Sequence, residues 1–198
     1  AEEIRKILDS SKEVKLSNNP SKGKLGNQLE QELYDFMNAE QTWFEIKKNY
    51  FFDNFFKKIK PVLKSYLKSP FIIVHLNAWK TRPNMKQYFD SDGNQRGPNR
   101  MHSDGYPPGH YKCMIYLQPL NSSFGKFQFE QKIFESEKAG CSVLFNNNLK
   151  HQSITGSSHY RYCLELTLMR TVFEVDMLKC YEGTPDDKWL LQAYQAYI

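Results

Sequence analysis

His102-Ser-Asp104 sets an imidazole and a carboxylate two residues apart. In an extended chain, residues i and i+2 point to the same face, so both can reach one metal from a single strand end. The pair alone is a common coincidence in a chain with five histidines. His151, after the strand-like run Gly140-Cys-Ser-Val-Leu-Phe145, is the third candidate. Two imidazoles and one carboxylate on one face leave three adjacent coordination positions open. That arrangement suits non-haem Fe(II), which must take a co-substrate and O2 together.

Arg161 is the fourth residue of interest. The chain from His151 to Arg161 is expected to form a hairpin with its turn near Gly156. If His151 and Arg161 face the same side, Ser153 shares the face of His151. Arg161, Cys163, Glu165 and Thr167 then form the matching face of the next strand, and Tyr162, Leu164, Leu166 and Leu168 form the other. The apolar face is expected to pack under helices and the polar face to line a hollow. A buried guanidinium is costly unless paired. A dicarboxylate would supply the partner, with a bidentate pair to Arg161 and a hydrogen bond from Ser153.

These residues need a scaffold. Residues 1–70 read as mainly helical: Leu29, Leu33, Phe36 and Met37 recur at helical spacing after a possible Asn27 cap. A second helix is expected over Tyr50–Leu67, kinked or restarted at Pro61. Between them, Pro20, Gly23 and Gly26 mark a loop. From Phe71 the period changes to that of strands: Phe71–Trp79, Lys112–Leu117, Lys126–Phe129, Cys141–Phe145 and Arg161–Val172, separated by turn residues. Many short strands at this spacing indicate a sandwich or barrel. The stretch 82–100 reads as one long polar loop, and Asp187–Ile198 as a short closing helix. The expectation is one domain, 1–198: a helical buttress over 1–70, a β core over 71–172 and an extension over 173–198.

Composition narrows the function classes. Hydrophobic residues make up 40% and aromatics 15%, which fits a folded core. No apolar run approaches the roughly 20 residues needed to cross a bilayer, and no charged segment followed by an apolar run opens the chain. Cys113, Cys141, Cys163 and Cys180 are widely spaced and are expected to be free thiols in the cytoplasm. The net charge is +5. Lys57, Lys58, Lys60, Lys64 and Lys68 read as a solvated helix face, so neither a membrane nor a nucleic acid is expected as partner. His110 and His159 read as surface groups. Trp79 and Tyr116 are expected in the core, and Arg96 and Arg100 could meet an anionic substrate.

The combination His102-x-Asp104, His151-Gln-Ser153 and Arg161 resembles the Fe(II)/2-oxoglutarate dioxygenases. Within them it is most similar to the phytanoyl-CoA dioxygenase-like group, in which Ser or Thr stands two residues after the distal His and an Arg about ten after it. Lys112-Cys-Met-Ile-Tyr-Leu117 and Gly125-Lys-Phe-Gln-Phe129 also resemble that group. The likeness covers roughly residues 71–170, and the segment after Phe129 departs from it. It implies a double-stranded β-helix (jelly roll) buttressed by helices. It implies Fe(II) on His102, Asp104 and His151, and 2-oxoglutarate held by Arg161 and Ser153. The implied reaction is hydroxylation of a small molecule by O2, with succinate and CO2 released. Two alternatives stay open: a hydroxylase of protein or nucleic acid with the same chemistry, and a cupin-like metal-binding protein that has no use for Arg161.

Overall fold

The computed structural model describes residues 1–15, 28–46 and 50–172. In chain order these form α1 (Glu2–Asp9), β1 (Glu13–Val14), α2 (Gln28–Glu40), β2 (Gln41–Phe44), a π-helical turn (Phe51–Phe56), α3 (Lys57–Leu67) and β3 (Phe71–Thr81). There follow β4 (Tyr88–Phe89), β5 (Gln95–Arg96), β6 (His110–Tyr116), β7 (Gly125–Phe129), β8 (Lys132–Phe134), β9 (Ser142–Asn146), β10 (His151–Thr155) and β11 (Arg161–Arg170). The Asn27 cap, Cys180 and the closing helix Asp187–Ile198 lie outside the described residues.

A six-stranded sheet runs β1-β2-β3-β11-β6-β9, and a three-stranded sheet runs β10-β7-β8. Neighbouring strands are antiparallel throughout. The two sheets close on each other as a double-stranded β-helix. β11 is central, with β3 on one side and β6 on the other, so both of its edges are paired. Its alternation sorts the two cores. Leu164, Leu166 and Leu168 join Ile73, Phe51, Phe56, Leu63, Leu67 and Leu8 beneath the helices. Cys163 joins Trp79, Tyr116, Phe127 and Phe145 between the sheets. Each buried leucine contributes about 1.5–3 kcal/mol. The helical layer is therefore held on by the apolar face that the strand pattern predicts.

Three expectations change. First, residues 1–70 are not wholly helical: β1 and β2 extend the main sheet, with Gln41 opposite Thr81 and Trp43 opposite Trp79. β3 would otherwise end the sheet with unpaired backbone groups, and Trp43 stacks on Trp79 at 4.8 Å between ring centroids. Second, the helix over 50–67 does not restart at Pro61, which lies inside α3; the change of helix type comes earlier, between the π turn Phe51–Phe56 and Lys57. Third, stretch 82–100 is not one loop. It holds the β4–β5 hairpin, whose turn is tied by Asp90 Oδ1, an acceptor for the backbone N–H of Asp92 and Asn94. No described helix is long and apolar enough to cross a membrane.

Candidate metal centre

His151 opens β10 in the three-stranded sheet, and the segment bearing His102 pairs with it through a single bridge. The N–H of each residue donates to the carbonyl of the other, at 2.9 and 2.8 Å. Asp104, two residues on, is fixed by its own N–H to the carbonyl of Asn147 at 3.2 Å. Ser103 between them is exposed, as the i, i+2 argument requires. The bridge sets the two imidazoles 4.5 Å apart between ring centroids. Asp104 Oδ1 lies 3.7 Å from His102 Nε2 and 3.7 Å from His151 Nε2. The three donor atoms all lie within 4.8 Å of one another.

The proton positions follow from the outer contacts. His102 Nδ1 sits 2.7 Å from the carbonyl of Arg100, and His151 Nδ1 sits 2.9 Å from that of Leu149. A carbonyl only accepts, so each Nδ1 carries the proton and each Nε2 presents a lone pair toward Asp104. Burial lowers the pKa of His151 below the ordinary histidine value, which favours the neutral, ligating ring. Phe145 packs 4.7 Å from its ring and Phe127 6.0 Å, an apolar collar that keeps water from that side. Two neutral nitrogens and one carboxylate oxygen fit a divalent first-row metal with open positions.

Arg161 meets Ser153 by a route other than the expected one. β10 and β11 do not form a hairpin. β10 pairs with β7, β11 with β3 and β6, and the chain crosses from one sheet to the other between them. His151 and Ser153 still share a face of β10, and Arg161 heads the inner face of β11, but the two faces meet across the sandwich. The Arg161 Nη2 donates to Ser153 Oγ. Its Nη1 donates to the carbonyls of Ile154 at 3.1 Å and Lys126 at 3.3 Å, and its Cζ lies 5.9 Å from the centroid of the Tyr116 ring. The residue is 4% exposed. Among the described residues no carboxylate forms an ion pair with it, and its Nε is buried with no hydrogen-bond partner. Such a guanidinium fits an anionic ligand better than it fits this protein alone. Gly125 makes room for it, because a Cβ there would sit 2.8 Å from Arg161 Nη1.

The other residues noted from sequence divide. Trp79 and Tyr116 are in the inter-sheet core as expected. His159 is exposed and stacks on Phe124. His110 is not a surface group: it is 2% exposed, its Nδ1 faces the Pro107 carbonyl at 3.0 Å, and burial lowers its pKa. Arg96 is engaged by Asp90 at 2.7 Å, and Arg100 donates to the carbonyl of Gln95. Cys113 and Cys163 are buried and Cys141 partly so, all three free, with the Cys113 thiol pushed up to about 12 by burial. Lys112, beside Asp104, is the residue that sequence reading passes over. Its signal is a charge inside an apolar strand.

No family model matches this chain, and no curated protein matches it. Solved structures do. HygX from Streptomyces hygroscopicus, with nickel, 2-oxoglutarate and hygromycin B bound, is 11% identical. The match covers 87% of this chain and 79% of that one, at a TM-score of 0.51. The non-heme alpha ketoglutarate dependent epimerase SnoN from nogalamycin biosynthesis is 11% identical over 93% of this chain and 77% of that one, at a TM-score of 0.53. The viral collagen prolyl hydroxylase vCPH from Paramecium Bursaria Chlorella virus-1 is 16% identical over 72% and 83%, at a TM-score of 0.46. At these identities the first two establish the fold alone: the chain is a double-stranded β-helix.

Proposed function

We propose that this chain is an Fe(II)- and 2-oxoglutarate-dependent oxygenase of the phytanoyl-CoA dioxygenase-like type that hydroxylates a small molecule. One observation carries the reading. A convergent His-Asp-His set stands on the inter-sheet side, and Ser153, on the same β10 face as His151, is hydrogen-bonded by a buried arginine that has no carboxylate partner among the described residues. A metal-binding protein with no anionic co-substrate has no use for the second element.

In this reading His102, Asp104 and His151 hold Fe(II), and Arg161 with Ser153 holds the far carboxylate of 2-oxoglutarate. Bound there, iron and 2-oxoglutarate use O2 to hydroxylate a C–H bond of the substrate, with succinate and CO2 released. The protein's own residues set positions. The Arg100 and Leu149 carbonyls fix the imidazole tautomers. Phe127, Phe145 and Tyr116 exclude water. The phytanoyl-CoA-type assignment rests on the His151-x-Ser153 and Arg161 spacing. A single folding unit over 1–198 is part of the same reading, and a reducing cytoplasm suits the cysteines among the described residues, all three of them free.

The test is direct. Purified protein is incubated anaerobically with Fe(II) and 2-oxoglutarate, O2 is admitted, and succinate is measured. Slow substrate-free succinate formation, abolished in Arg161→Ala, is the expected result. Absence of both turnover and 2-oxoglutarate binding in the unaltered protein would sink the proposal. A metabolite screen for the gain of one oxygen atom then identifies the substrate.

A further inference from the structure

Asp104 offers its two oxygens to different partners. Oδ1 faces both imidazoles, while Oδ2 lies 2.5 Å from the ammonium of Lys112. Lys112 comes from β6 and is also held by Glu165 Oε2 at 3.4 Å. The amide of Asn77 donates to Glu165 Oε1 at 3.3 Å. The line Asn77–Glu165–Lys112–Asp104 thus starts on β3, crosses β11 and ends at Asp104 from β6, three adjacent strands of the main sheet. The lysine, glutamate and aspartate side chains are only 12%, 13% and 14% exposed. Burying one cation with two anions is expensive compared with apolar packing, so the arrangement calls for a reason.

The chemistry of a carboxylate supplies one. An unrestrained aspartate can turn and chelate a metal through both oxygens, which fills a fourth coordination position. An ammonium on Oδ2 prevents that turn. We propose that Lys112, anchored by Glu165, is a positioning residue for Asp104. It engages Oδ2 so that Oδ1 alone faces the metal, and three positions stay open for co-substrate and O2. This rests on the metal-site reading above. Two other accounts make opposite or different predictions. An ammonium that sits where the metal belongs would compete with it. A purely structural ion pair would leave metal coordination untouched.

The experiment is Co(II) titration of the full chain, followed by calorimetry and by the visible d–d spectrum, with metal-free melting recorded for each variant. The unaltered protein is expected to bind one Co(II). Lys112→Met is expected to shift the spectrum toward that of a higher coordination number, because Asp104 can then chelate through both oxygens, and to tighten Co(II) binding. A competing ammonium predicts tighter binding with the spectrum unchanged. Glu165→Gln, which leaves Lys112 without its anchor, is expected to shift the spectrum in the same direction and by less. It decides the matter should Lys112→Met fail to fold. An unchanged spectrum overturns the proposal, in favour of a structural pair where the affinity is also unchanged and of competition where it rises, and weaker binding overturns it as well. No Co(II) binding by the unaltered protein removes the metal-site reading itself, which separates the two failures.

Discussion

Replacing Arg161 by Met keeps the length of the stem and removes the charge. In the ligand-free protein the guanidinium makes three hydrogen bonds, to Ser153 Oγ and to the Ile154 and Lys126 carbonyls. With a charged donor, each is worth about 1.5–3 kcal/mol. Against that stands a buried cation with no carboxylate partner, a penalty of several kcal/mol. The two oppose each other, so the ligand-free variant should melt within about 4 °C of the parent, the equivalent of roughly 1–2 kcal/mol. The ligand response should differ sharply. Two charge-assisted bonds to a carboxylate are worth about 3–6 kcal/mol together, or about two to four powers of ten in Kd. At 2-oxoglutarate 100 times the parent Kd, the parent gains about 2.7 kcal/mol, a shift of roughly 5–10 °C. At the same concentration the variant should not shift measurably. The assay is thermal melting with Ni(II) in place of iron, so that no turnover occurs. An equal 2-oxoglutarate shift in the variant refutes the assignment of the pocket. A ligand-free variant that melts far below the parent refutes the claim that this charge is held for a ligand.

Three further outcomes follow from the same geometry. Gly125→Ala puts a Cβ 2.6 Å from the Ile154 carbonyl and 2.8 Å from Arg161 Nη1 at φ +111°. It should abolish the 2-oxoglutarate shift with Arg161 still present and add strain of about 1–3 kcal/mol; a normal shift counts against the close approach. Leu166→Ala empties a site that is 0% exposed beneath the helices. It should cost about 2–5 kcal/mol in urea unfolding, with Co(II) affinity retained because Leu166 is on the opposite face. The Arg96 guanidinium holds the Asp90 carboxyl below its ordinary range. A depressed folded pKa stabilises above the unfolded value of about 3.9 and is lost as pH falls through the folded value. The amide signals of Asp92 and Asn94 should therefore move at a pH below the unfolded value, and Asp90→Asn should remove that transition; a titration at or above the unfolded value would contradict the ion pair.

Much of the site is legible in the sequence, and the reason is local. His151 and Ser153, or Arg161 and Glu165, share a face by alternation alone, whatever their strands pair with. The pairing partner is not local. The hairpin expected between β10 and β11 dissolves because consecutive strands in this fold cross between sheets, a long-range choice that no short pattern encodes. The π turn Phe51–Phe56 shows the same limit: an aromatic run gives no sign of helix type. β2 was hidden because Gln41–Phe44 is too short to show a period, and only the open edge of β3 explains it. His110 looked like a surface group because a Pro-Pro-Gly turn precedes it; the Tyr106 ring that covers it, 5.3 Å away, comes from packing.

From Arg161 to Leu168, β11 alternates between two incompatible surroundings: Arg161, Cys163 and Glu165 on one side, Leu164, Leu166 and Leu168 on the other. A slip of one residue would exchange them, setting a guanidinium among the leucines and leucines where Ser153 and Lys112 meet Arg161 and Glu165. The extra residue in β3, Val74, where the register shifts opposite Thr167 and Leu168, must be placed correctly for the same reason. Misregistered chains would thus be both unstable and inert. For this strand, quality control during folding and selection for chemistry act on the same set of side chains. Variants of β11 that remain abundant in a cell should mostly be those that still assemble the site.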